Sequence, residues 1–307
     1  MDPQRLAVRL MIFQAALFAA ETAAIHQIGS QIPLMLIALI RGAAGVVLAL
    51  VIARTCRLGV LKTRRPGLQL LRGGISLCYL WVMIYSFRHL PFADATAISY
   101  TQAAYIAAFS MLILGERVGW GRWAAAGLGI AGALLISKPA LEGCNSIYLV
   151  ALFGTGLNGL AFVLNRYLQR DDNEPTTMFY TNLVIALGNA PSLATAAMPL
   201  PGMLPWLSAL LVLGPLGMYL GIVALRHASA AALGPYTLLR LVIGLAGGIV
   251  IFRELPDVLS MVGALVILAS CVLSTHLGVL SRTVRAVRSR TRIFRMPLRL
   301  GGQVESA

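Results

Sequence analysis

The sequence predicts an all-α integral membrane protein: ten transmembrane helices arranged as two inverted five-helix repeats, with both termini cytoplasmic. Three observations predict it. The 307 residues are 58% hydrophobic and only 12% charged, whereas a soluble domain is about half apolar and a quarter charged. Apolar stretches of near-spanning length recur along the whole chain. The basic residues fall almost entirely into alternate connections between those stretches.

About 20 apolar residues cross the hydrocarbon core as a helix, and turn or charge signals separate ten such stretches. The first, 6–26, follows Arg5 and Arg9 and ends in ETAAIHQ. That pattern alone also fits a cleaved signal peptide, but the many similar segments that follow favour a span. The second, 32–53, lies between QIGSQIP and TCRLGVLKTRRP. The third, 68–87, stops at RHLPFA, the fourth, 93–114, at GERVGWG, and the fifth, 120–138, at KPALEGCN. The sixth, 147–167, runs to RYLQRDDNEP and the seventh, 176–197, to MPLPGMLP. The eighth, 206–225, ends at RHASA, the ninth, 230–252, at FRELPD, and the tenth, 257–278, before an arginine-rich tail.

Charge then orients the chain, because short cytoplasmic connections concentrate Lys and Arg. With a cytoplasmic N-terminus, the inner side holds Arg5 and Arg9, then Arg54, Arg57, Lys62, Arg64, Arg65 and Arg72. Arg117, Arg122, Arg166, Arg170, Arg226 and the tail arginines from Arg282 to Arg299 join them. The outer side holds only Arg88, Lys138 and Arg253, while Arg41 and Arg240 fall inside spans. This distribution accounts for the net charge of +14 with no nucleic-acid partner. The tail spaces Arg285, Arg288, Arg292, Arg295 and Arg299 as on a helix, which suits a segment lying on anionic lipid headgroups.

Sliding the chain on itself by 138 residues places Arg88-His89 on Arg226-His227 and Glu116 on Glu254. Each half then holds five spans, and an odd number forces the second half to run the opposite way through the membrane. The predicted organisation is a first repeat at 1–139, a second at 140–278 and a basic cytoplasmic tail at 279–307. Inverted repeats of this kind build alternating-access pathways around a site near the bilayer midplane.

The stretch LPFADATAISYTQAAYIAAFSMLILGERVGWGRWAAAGLGIAGALLISKP (residues 90–139) resembles the EamA family of the drug/metabolite transporter superfamily. Its loop ADATAIS, its turn LGERVGW and its Gly/Ala-rich fifth span ending in SKP carry the resemblance, and residues 224–275 resemble the second copy. The resemblance implies ten helices, a central cavity and transport without ATP hydrolysis. It also implies a multi-pass protein of the bacterial cytoplasmic membrane, and it makes the Gly-Glu of the 115–116 turn a signature. Phe252-Arg253-Glu254 departs from it, since many members carry glycine before that acid.

Intramembrane charge is sparse: Glu21, Arg41 and Arg240. At 1.5 Å of rise per residue, Glu21 and Arg41 come to roughly 8 Å and 12–14 Å from the outer edge, on adjacent antiparallel spans. They can pair as a structural tie, or serve proton coupling with Glu21 titrating and Arg41 tuning it. Arg240 lies roughly 15 Å from the inner edge, near the midplane, with no acidic residue at its depth. Under the 138-residue shift it falls on Gln102, so the two are expected to face each other across the pseudo-two-fold. A guanidinium binds carboxylate or phosphate by parallel hydrogen bonds, which makes a substrate anion one partner for Arg240. Backbone carbonyls near Pro235, or snorkelling, are the other.

Tyr100, Tyr236 and Trp81 are the expected aromatic lining, although packing or interfacial roles suit such residues equally. Asn158 and Asn165 share a face of the sixth span, for bonds between helices or for cavity lining. Glu116 and Glu254 are expected to cap the helices that follow them. Pro191, Pro215 and Pro235 interrupt spans.

The scattered Cys56, Cys78, Cys144 and Cys271 form no zinc or disulfide pattern, and no metal site or cofactor is expected. A membrane enzyme is the competing class, but neither HExxH nor GxSxG occurs. The expected function is export of an amino-acid-like or other carboxylate-bearing metabolite. Uptake of a vitamin or nucleotide-derived compound, or export of an amino-carboxylate metal chelator, is the alternative.

Overall fold

The computed structural model describes residues 3–28, 32–59, 62–90, 95, 98–116, 118–137, 146–195, 201–247 and 258–273. Arg117, Lys138, Cys144, Arg253, Glu254 and the basic tail at 279–307 lie outside the described residues. The helices of the first half are α1 (Pro3–Ile28), α2 (Leu34–Thr55), α3 (Pro66–His89), α4 (Gln102–Leu114) and α5 (Trp120–Ser137). Those of the second are α6 (Ser146–Leu168), α7 (Glu174–Asn189), α8 (Leu204–His227), α9 (Ala230–Leu233) and α10 (Leu239–Gly247), then α11 (Val258–Leu273). No strand occurs among the described residues.

Each of the ten apolar stretches contains helix. Five helices (α1, α2, α3, α6 and α8) are long and apolar enough to cross a membrane, and Ile98–Leu114, Trp120–Ile136, Ala230–Gly244 and Val258–Leu273 are shorter apolar helices. Large apolar side chains face outward, among them Leu112 at 73% exposure and Val258 at 77%. A water-soluble protein would not leave so many uncovered; lipid solvates them, while helical hydrogen bonding satisfies the backbone inside the segment.

The prolines act differently from one another. Pro215 sits inside an unbroken α8, so it does not interrupt that segment as expected. Pro191 is the second residue of a 3-10 turn, Ala190–Thr195, after α7. At Pro235 the ninth stretch breaks into α9, a 3-10 turn at Gly234–Leu238, and α10. Proline lacks the N–H that an α-helix would use there and its ring crowds the preceding turn.

The helices of the two halves interdigitate. Helix α1 packs chiefly on α8 and also on α10, α3 packs on α6 and α7, α4 on α6, and α2 on α7. Small residues allow the closest approaches. A Cβ built on Gly132 of α5 would lie 2.7 Å from the carbonyl oxygen of Gly263 in α11, and one on Gly263 would lie 2.6 Å from that of Gly132. Gly132→Ala is therefore expected to cost about 1–3 kcal/mol by forcing the two helices apart, read as a lower thermal midpoint in detergent. Gly127, with open space around its Cβ position, is the control: Gly127→Ala should leave the midpoint unchanged or slightly raised.

One end of the bundle carries a polar lattice centred on Asp172, which is only 5% exposed. Its carboxylate accepts from the Thr63 hydroxyl, from the Arg64 backbone N–H at 3.2 Å and from Gln69 Nε2 at 2.7 Å. Arg226, at the end of α8, pairs with Glu174 at 2.7 Å and donates to the Asp172 carbonyl at 3.2 Å. Asn173 caps α7 by accepting from the Thr176 N–H at 3.0 Å, the standard N-cap bond. The α2–α3 connection, the α6–α7 connection and the end of α8 are thereby tied together.

Glu116 also caps a helix, but not the one that follows it. Gly115 closes α4 in the left-handed conformation, φ 65°, which glycine adopts without a Cβ penalty. This turn carries the Glu116 carboxylate across to the start of α9, where it accepts from the Ala231 N–H at 3.4 Å. The acid that follows α4 in one half thus caps a helix of the other.

Candidate functional site

A cavity of about 300 Å³ opens between helices of both halves, within the size range of small-molecule pockets. Its charged lining is Glu21 from α1, Arg41 from α2, Arg72 from α3 and Arg240 from α10. Asn158 of α6 and Asn182 of α7 supply amides, with Tyr79 and Phe18 as aromatic wall.

Glu21 is 6% exposed, and its Oε1 lies 2.7 Å from Arg41 Nε. No N–H is aligned on that oxygen, so the contact is one of charge rather than a directed hydrogen bond. Arg41 also stands over the Phe18 ring, 5.6 Å from its centroid, where the π-face attracts a cation. Gly214, just before Pro215, makes room for the pair: a Cβ there would run into the Glu21 carboxylate and Arg41 Nε.

Arg240 occupies the first turn of α10, immediately after the 3-10 break. Among the described residues its side chain has no ion pair or hydrogen bond, and its charge is felt at longer range by Glu21 and Tyr100. The sequence had offered no acid at its depth. Tertiary packing brings Glu21 into the same cavity, because depth counted along separate helices ignores how far side chains reach and how helices tilt.

Arg72 is the residue that sequence reasoning misplaced. Counted there with the loop arginines, it lies six residues into α3, 4% exposed and on the cavity wall. Its Nε and Nη1 are buried with no hydrogen-bond partner. The available signal was its position past Pro66, a proline that begins a helix and puts Arg72 about 9 Å along it.

The other expected residues divide. Asn158 lines the cavity with Arg240, Glu21 and Arg41. Gln102, Tyr100, Tyr236 and Trp81 do not line it. Gln102 is buried at the first position of α4, and Tyr100 belongs to the apolar core beside Tyr236. The Tyr236 hydroxyl donates to the Cys271 carbonyl at 3.0 Å. Trp81 is 42% exposed, with its Nε1 donating to Asn189 Oδ1 at 3.3 Å. Tyr79 lines the cavity in its place, since residues two apart on a helix point roughly 200° away from each other. Asn182 was not singled out from the sequence; it is 4% exposed and donates to the Met178 carbonyl at 2.8 Å.

The profile of the EamA-like transporter family matches the chain twice, over residues 5–138 and 145–276. An S-adenosylmethionine uptake transporter of Rickettsia bellii is 28% identical over 211 residues, 68% of this chain and 72% of that protein. A pseudopaline exporter of Pseudomonas aeruginosa is 26% identical over 279 residues, 89% of this chain and 96% of that one. A riboflavin transporter of Brucella anthropi is 28% identical over 270 residues, 85% of this chain and 95% of its own length. In fold, a protein crystal structure at 18% identity aligns with TM-score 0.77 over 89% of this chain and 97% of that chain.

Proposed function

The chain belongs to the EamA-like transporter family, and on that footing we propose that it is a secondary transporter of the bacterial cytoplasmic membrane. It exports an amino-acid-like or other carboxylate-bearing metabolite through the central cavity, whose anionic group Arg240 binds and whose polar atoms Asn158 contacts. The observation that carries this reading is a cavity-lining guanidinium with no partner among the described residues. An unpaired cation inside a bilayer is costly, and cargo that neutralises it on entry is held by that same energy.

The chain runs as ten spans in two inverted five-helix repeats, 1–139 and 140–278, with cytoplasmic ends. The helix pairing supports this arrangement: α1 on α8 and α10 in one direction is answered by α6 on α3 and α4 in the other, with α2 on α7 at the centre. Equivalent helices exchange roles, as a pseudo-two-fold requires. The lattice at one end joins Arg64, Arg65, Asp171, Asp172 and Arg226, residues that the charge distribution assigns to the cytoplasmic side. Glu21, meeting Arg41 without an aligned hydrogen bond, is the group that takes up and releases the coupling proton. The tail at 279–307 rests on anionic headgroups.

The cargo is found by comparing metabolites retained by cells with and without the protein, followed by counterflow in proteoliposomes. Arg240→Gln is expected to weaken half-saturation by about tenfold or more, the effect of losing one charge-assisted contact. Unchanged affinity for every anionic compound would remove Arg240 from the site.

A further inference from the structure

We propose that the cavity takes a small molecule with two separate acidic groups, one bound by Arg240 and the other by Arg72. The inference rests on the reading of the cavity as the transport site and adds the number and placement of the cargo's charges.

Three features carry it. Arg72 is 4% exposed, lines the cavity, and holds Nε and Nη1 buried and unpartnered. Removing a guanidinium from water without compensation is among the costliest arrangements a protein can keep, and the neighbours supply none: among the described residues it has no ion pair. The charged lining is Arg41, Arg72 and Arg240 against Glu21 alone. With Arg41 engaged by Glu21 at 2.7 Å, two free positive charges remain. Finally, those two charges stand on different walls. Arg72 projects from α3, which packs on α6 and α7, whereas Arg240 projects from α10, which packs on α1. Two anionic groups joined by a short chain satisfy both, as in a dicarboxylate. The amides of Asn158 and Asn182 on the remaining lining offer hydrogen bonds to the linker's polar atoms.

The purified protein in detergent is titrated with succinate and glutarate, with their monoamides succinamate and glutaramate, and with inorganic phosphate, at constant ionic strength. Ligand-induced rise of the thermal midpoint is the readout. The dicarboxylates should bind at least about tenfold more tightly than the monoamides, one charge-assisted contact apart, and more tightly than phosphate. Arg72→Met should erase the difference between diacid and monoamide, and Arg72→Lys should keep part of it. Without ligand, Arg72→Met should leave the midpoint unchanged or higher, because replacing an unpaired buried charge by an apolar side chain removes a penalty. A fall of more than about 3 °C would make Arg72 a structural cation and overturn the proposal. So would equal binding of diacid and monoamide, phosphate binding as well as the diacids, or no stabilisation by any probe. Monoanion binding that depends on Arg240 but not on Arg72 would sink this inference and leave the transport reading standing.

Discussion

Glu21→Gln is expected to abolish accumulation of cargo against its gradient while exchange of cargo between the two sides continues. Glutamine keeps the size of the side chain and a hydrogen-bonding carbonyl but can neither bind nor release a proton near neutral pH. If Glu21 carries the coupling proton, driven transport in proteoliposomes with an imposed pH gradient falls to the level of liposomes without protein. Counterflow, which needs only reorientation of the loaded carrier, persists. The substitution should not unfold the protein. Arg41 is left without its carboxylate, but its side chain is 37% exposed toward the cavity, so water and the Phe18 ring take up part of the loss. Undiminished gradient-driven uptake by Glu21→Gln would reduce the pair to a tie between α1 and α2.

The largest stability effect is expected at Asp172. Asp172→Ala strips partners from the Thr63 hydroxyl, the Arg64 N–H and Gln69 Nε2 at once. Gln69 is fully buried, and its Oε1 already has no partner; its Nε2 would retain only Thr177, at 3.2 Å. Hydrogen bonds to a charged group contribute about 1.5–3 kcal/mol each, and stranding a buried donor costs a similar amount. Even with partial relaxation the loss should reach about 3 kcal/mol or more, a drop of roughly 6 °C or more in thermal midpoint. Asp171 provides the contrast. It pairs with Arg65 at 2.8 Å, but the two side chains are 25% and 43% exposed, and water screens such a pair so that its loss should leave the midpoint nearly unchanged. Equal midpoints for Asp171→Ala and Asp172→Ala would mean that the lattice does not hold the two connections together.

The helical segments were legible because each apolar stretch is bounded by residues with strong local preferences: Pro33 and Pro66 at helix starts, Gly115 at an end. The side-by-side positions of Glu21 and Arg41 were legible for the same reason, since consecutive antiparallel spans fix relative depth. Arg72 was not. A rule that assigns cations near span ends to the cytoplasm cannot see that α3 begins early and turns this residue inward. Trp81 and Tyr79 differ only in helical phase: Gln69, Arg72, Ser76 and Tyr79 recur at helical spacing along α3, Arg72, Ser76 and Tyr79 reach the cavity wall, and Trp81 falls off that face. Glu116 failed differently: its local signature as a cap was right, but the capped helix lies more than a hundred residues away in sequence. Gln102 was placed by the pseudo-symmetry of the sequence, and α4, packed on α6, does not reach the cavity wall.

The pairing of α1 with α8 has a consequence for biogenesis. The first helix leaves the ribosome about 180 residues before its main partner exists, at synthesis rates of about 5–20 residues per second, so it waits many seconds in the bilayer with an acid inside its apolar run. The partner that can meet that acid early is Arg41, on the very next segment to enter. Helices α1 and α2 each pack on α8, and Gly214 of α8 lies where a Cβ would run into both the Glu21 carboxylate and Arg41 Nε, so the last of the three helices to be made closes over charges that the first two supply.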